Sequence, residues 1–253
     1  MKLDSQPILG IVASVLVVSA SLWISVSLSP ETMLTWISLI LVAMVPMQMV
    51  IGLAWGGQHP ATIAAMPTLM RGVAFSVLMA TVGAVVAYVA HATVGGGISP
   101  PTPFVNMFLI LAVPMTLMLI ILFQRWPFTL LLGDRPVAIG FALLITAYGL
   151  AWVVYQLLFD FSFLQQAPFY QTALDPHGKL TAWLPLTASL GGVVAILCLV
   201  LLDFWPLSLL AQAFPACRRQ PVFGIVASVL VALVVATLWY VFIVHQGMDV
   251  VAF

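Results

Sequence analysis

No Asp, Glu, Lys or Arg falls in the middle of any of the seven long apolar stretches of this chain. The stretches cover residues 7–28, 33–55, 69–91, 104–124, 136–159, 183–202 and 221–244. Each matches the ~20 apolar residues an α-helix needs to cross the hydrocarbon of a bilayer. Inside lipid every backbone N–H and C=O must be satisfied within the segment itself, which leaves the helix as the economical solution. The pattern therefore predicts an all-α, polytopic integral membrane bundle with seven spanning helices. They form one transmembrane domain over residues 1–253.

Composition excludes the soluble alternative. Hydrophobic residues are 64% of the chain and charged residues only 6%, against about 25% charged in an ordinary soluble domain. Water could not tolerate the leftover apolar surface. Net charge is zero, so there is no basic field for nucleic acid. Cys198 lies in an apolar run and Cys217 beside Arg218 and Arg219, which does not indicate a disulfide framework.

Lys and Arg set the expected orientation. Lys2, Arg71, Arg125, Arg135, Arg218 and Arg219 fall on one side of the seven crossings, and only Lys179 on the other. The N-terminus is then cytoplasmic and the C-terminus external, in a bacterial-type inner membrane. The tryptophans fall into two belts that suit an indole half in lipid and half in water. Trp55, Trp126 and Trp205 mark inner ends, and Trp23, Trp36, Trp152, Trp183 and Trp239 mark outer ones.

The first stretch imitates a signal peptide, with Lys2 ahead of it and Val18-Ser19-Ala20 as a cleavage-like site. It is expected to be retained. The apolar run continues to Leu28, and its opening recurs deep in the chain. Residues 6–17 and 220–231 share ten of twelve positions, both opening Gln-Pro and continuing Gly-Ile-Val-Ala-Ser-Val-Leu-Val. Proline suits a first helical turn. Gly10 with Ser14, and Gly224 with Ser228, stand at the small-residue spacing that lets two membrane helices approach closely.

Weaker echoes extend the pattern. Arg135-Pro136-Val137, with Gly140 following, opens the fifth stretch. Val45-Pro46-Met47 in the second returns as Val113-Pro114-Met115 in the fourth. Pro46 and Pro114 should kink their helices. Trp126-Pro127 and Trp205-Pro206 each lead into a short apolar run. The expected unit is a parallel two-helix hairpin, present three times, plus one extra helix.

Little chemistry is written in this sequence. Among His59, His91, His177 and His245, none falls at mid-depth; His91, at the outer end of the third stretch, is the best placed. No cofactor or metal site is expected, and a pigment or metal ligated by His91 is the alternative to an interfacial histidine. On the outer face, Asp160, Asp175 and His177 lie in the long loop between the fifth and sixth stretches. HExxH, CxxC, P-loop and GxSxG elements are missing, so catalysis is not expected. Met44, Met47, Met49, Met115 and Met118 read as gap filling rather than copper binding. Gln48, Asn106 and Gln156 are the polar residues that would either join helices or line a path.

These features suit a permease-like transporter of a small neutral or apolar solute. A charge-coupled mechanism is disfavoured, because coupled carriers use an ionisable group inside the membrane. The alternative is a non-catalytic membrane subunit of a larger complex. Its other subunits would sit near the first and seventh helices, and the remaining partner is the lipid bilayer.

Overall fold

The computed structural model describes residues 6–101, 103–159 and 184–241. Among them there is no strand. Helix α1 is Gln6–Ser27. Ser29 then caps the next helix, its hydroxyl accepting the Thr32 N–H at 3.2 Å, and Pro30 occupies the first helical position, where no donor is lost. Helix α2 runs Pro30–Ala54. After it come a short helix α3, Ala61–Ala64, and a long helix α4, Thr68–Thr93. Helix α5 is Pro103–Leu117, continued by the π-turn Met118–Leu122. Short α6 (Phe128–Leu132) leads into α7, Pro136–Val154, which extends through the π-turn Tyr155–Phe159. Helix α8 is Leu184–Leu201, then come short α9 (Leu207–Ala213), a 3-10 turn Pro215–Arg218 and α10, Val222–Trp239.

Five helical stretches are long and apolar enough to cross a membrane: Pro30–Ala54, Thr68–Thr93, Val105–Leu122, Pro136–Leu157 and Val222–Trp239. They correspond to five of the seven stretches marked in the sequence. Helices α1 and α8 supply shorter apolar segments, Ser14–Ser27 and Ser189–Leu201.

The two internal prolines act alike. Pro46 in α2 and Pro114 in α5 are both buried, and each is followed four residues later by a π-turn, Val50–Ala54 and Met118–Leu122. Proline removes one helical donor and pushes on the carbonyl four residues back. A wider turn beyond it is one way to relieve the disturbed ladder. Both helices then stop on two successive left-handed residues, Gly56 and Gly57 after α2, Gln124 and Arg125 after α5. The second residue's N–H reaches back six positions in each, Gly57 to Ile51 and Arg125 to Leu119, both at 2.9 Å. Helix α8 also stops on a left-handed pair, Asp203 and Phe204.

Helix α5 is the hub. It packs along α2, α7 and α8, and 56% of its spanning window is buried against 11% for α10. Helix α2 packs most extensively on α4, and α10 packs on α8. Alongside these, α5 packs extensively on α7, α8 and α2, so the contacts form one continuous bundle. Every described side chain of α1 is exposed. Trp23 is 73% exposed and Val26 86%.

Aromatic rings pin the ends of α2 and α5 against α7 and α10. The indole of Trp55, closing α2, lies against Gly140 in α7, where a Cβ would collide with it. Its Nε1 donates to the Pro136 carbonyl at 2.7 Å. The ring of Phe123, closing α5, lies against Gly224 in α10, where a Cβ would stand 2.6 Å from it. Trp55 is therefore a buried structural residue rather than a half-wet interfacial one, whereas Trp205 and Trp152 are exposed as the belt pattern expects.

Candidate functional site

Pro114 of the hub helix meets Gly192 of α8 beside a cleft in the packing. Gly192 of α8 faces Pro114, and a Cβ there would meet the proline Cβ at 3.4 Å. Beside this contact the packing is incomplete. The result is a cleft of about 430 Å³ between α5, α8 and α10, with Val154 of α7 at one edge. Along α5 its wall runs from Leu111 to Leu122, a rise of ~16 Å at 1.5 Å per residue. That is roughly half the hydrocarbon thickness. Trp239 stands at one end of α10 in this wall and Ser228 at the other.

The cleft carries no charged side chain. Met115, Met118, Ile196, Val231, Ala232 and Val235 are among its lining residues, and the side chains with polar atoms are Ser189, Ser228 and Trp239. Ser228 has its hydroxyl committed to the Gly224 carbonyl at 2.7 Å. Thr116, on the buried side of α5, likewise donates to the Ala112 carbonyl at 2.7 Å.

Beneath the cleft, where α5 ends, Gln220 ties α10 in place. Its Nε2 donates to the Leu122 carbonyl at 2.8 Å, and its Oε1 accepts the Gly224 N–H at 3.3 Å. One side chain thus satisfies an orphan carbonyl of α5 and an orphan amide of α10. On the other half of the bundle, Arg125 Nη1 reaches the Ala54 carbonyl at 3.3 Å.

The sequence-marked residues distribute unevenly around this centre. Pro114 and Ser228 line it, and Gly224 lies just below it. Pro46 is buried in the other helix with an internal proline. Gln48 and Gln156 are exposed on the surfaces of α2 and α7 and do not reach the cleft. Asn106 is half-buried near the start of α5, its Nδ2 donating a long bond of 3.4 Å to Ser38 Oγ. The three polar residues thus do not converge. Ser14 is exposed on α1, which also carries Gly10. Asp160, Asp175 and His177 lie outside the described residues.

His91 is buried at the end of α4, its ring edge-on to Trp36 with centroids 4.8 Å apart. Its Nδ1 and the Oδ1 of Asn106 are buried without a protein partner. Among the described residues, His, Cys, Asp and Glu form no group of three that could hold a metal. Two residues escaped the sequence reading. Gln220 was visible in the repeated motif, but only its proline neighbour was given a meaning. Tyr148, whose hydroxyl donates to the Ala43 carbonyl at 2.9 Å, carried no signal, since a single tyrosine in an apolar helix is unremarkable.

No protein-family model, curated protein or solved structure matches this chain.

Proposed function

We propose that the chain is a permease-like membrane protein that passes a small neutral or apolar solute without charge coupling, using the cleft beside Pro114. The observation that carries this reading is a cavity of about 430 Å³ in the spanning region with no ionisable side chain in its wall. Its size falls within the ~300–1,000 Å³ of small-molecule sites. A charged solute would lose its hydration there without compensation.

The same reading has seven crossings, cytoplasmic N-terminus, external C-terminus and insertion in a bacterial-type inner membrane. Helices α1 and α8, of 22 and 18 residues, have lengths of about 33 and 27 Å, close to the ~30 Å of hydrocarbon. The matched proline, π-turn and left-handed endings of α2 and α5 support descent from parallel repeated units.

Flux in liposomes tests it. Uptake of a neutral solute should saturate, should be unchanged when proton and sodium gradients are collapsed, and should fall at least tenfold on replacing Gly192 by Leu. Uptake that requires either gradient would overturn the uncoupled mechanism.

A second reading, a non-catalytic subunit of a larger membrane complex, is favoured by α1. Its apolar surface is exposed along its described length while the same motif in α10 is packed. Stoichiometric partner chains retained through mild detergent, with no flux by the isolated chain, would select this reading.

A further inference from the structure

Helices α7 and α10 enter the bundle in one register. Gly140 lies against Trp55 at the end of α2, and Gly224 against Phe123 at the end of α5. Counting forward from the two glycines, Leu143 matches Ala227, and all four of Leu143, Ala227, Ala147 and Ala151 are fully buried. Ala147 and Ala151 match Val231 and Val235, both half-buried. Helices α2 and α5 align through Pro46 and Pro114, each followed at the same distance by a π-turn and a left-handed pair.

In this register Tyr148 of α7 matches Ala232 of α10, and Ala43 of α2 matches Leu111 of α5. In one half, Tyr148 fills the space between the helices and donates its hydroxyl to the Ala43 carbonyl at 2.9 Å. In the other half, Ala232 stands where the tyrosine would be and Leu111 where its acceptor would be, and both line the cleft. The cleft is the place where one half of the molecule lacks the side chain the other half has.

We infer that the cleft binds a neutral, ring-sized molecule with a single hydroxyl donor, an alkylphenol in chemical class. It would occupy the missing tyrosine's place and donate to the Leu111 carbonyl. This rests on the cleft being the solute site. The chemistry follows from the walls. Pro114, Met115 and Met118 offer apolar and thioether contact to a ring face. A cavity of about 150 Å³ already holds benzene, so 430 Å³ takes a ring with an alkyl substituent. The absence of a charged side chain in the wall selects the neutral phenol over a phenolate or an ammonium.

The test is calorimetric titration of the full chain in lipid nanodiscs with 4-propylphenol and with propylbenzene, each corrected against empty nanodiscs. The expected result is one site per chain, with the phenol about three- to tenfold tighter, the size of one net hydrogen bond. Ala232→Tyr, which restores the tyrosine, should abolish binding. Ala232→Phe fills the space without a hydroxyl and should also abolish it, which guards against misfolding peculiar to one variant; thermal unfolding checks that each remains folded. Equal affinity for the two probes, or full binding by folded Ala232→Tyr, overturns the inference. Phenol binding without any solute flux would leave the site standing and remove the permease reading. Flux of a neutral solute that persists in folded Ala232→Tyr would show that the solute does not pass through the cleft, overturning that reading of the cleft and the inference that rests on it.

Discussion

Gly224 and Ser14 belong to the two copies of one motif, yet the fold uses them differently. At Gly224 a methyl group would enter the ring of Phe123, at 2.6 Å, and neither helix can retreat without breaking the Gln220 bridge. Gly224→Ala should lower stability by about 1–3 kcal/mol through overpacking. Ser14 is exposed on α1, and Ser14→Ala should stay within ~0.5 kcal/mol. Thermal unfolding of the detergent-solubilised chain checks both; equal shifts would mean that α1 is packed as α10 is. Sequence marked both residues because small side chains at this spacing are recognisable. It did not tell which copy was packed, because that depends on whether an aromatic ring waits opposite. The polar trio divides for a related reason: Asn106 joins α5 to α2 through Ser38, whereas Gln48 and Gln156 face outward. Gln48, Asn106 and Gln156 are conspicuous as letters, but the helix face that each occupies is decided by neighbours far away in sequence.

At the level of helices, positions were readable and partnerships were not. The length of an apolar run is set by bilayer thickness, so α2, α4, α5, α7 and α10 fall where the sequence put them. Pairing is settled by ridges, glycines and ring contacts, and lipid offers no hydrophobic penalty that would betray a wrong pair. Hence the central place of α5, packed on α2, α7 and α8 at once, is not written in the order of the apolar runs. The ends of α2 and α5 give a sharper test. Both close on left-handed pairs, but α2 uses Gly56 and Gly57 where α5 uses Gln124 and Arg125, with φ of 52° and 66°. A residue with a Cβ pays about 1–2 kcal/mol there. Gln124 is exposed and its side chain is not needed for the Arg125 N–H to reach the Leu119 carbonyl at 2.9 Å. Gln124→Gly should therefore stabilise the chain by about 0.5–1 kcal/mol, after the entropy glycine loses on folding. A lowered midpoint in thermal unfolding would show that the glutamine side chain holds the turn by a contact of its own.

For the whole molecule, orientation decides which compartment each end of the cleft faces. Short helices α3, α6 and α9 all follow left-handed helix ends, and the arginines gather on their side: Arg71 opens α4, Arg125 and Arg135 flank α6, Arg218 and Arg219 follow α9. Guanidinium groups resist translocation, so this side should be cytoplasmic. The Ser228 end of the cleft then lies toward the cytoplasm and the Trp239 end toward the exterior. Cys217 sits between Phe214 and Arg218 on the arginine-rich side, partly exposed, and provides a native reporter. Cys198 is exposed within α8, where surrounding lipid would shield it from a polar reagent; Cys198→Ser removes any ambiguity. In right-side-out vesicles carrying that variant, a membrane-impermeant maleimide should leave Cys217 unlabelled, and it should label fully once the membrane is opened. In inverted vesicles, labelling should proceed without opening. Labelling from outside in intact right-side-out vesicles would reverse the orientation, and with it the direction in which a solute entering past Trp239 would travel.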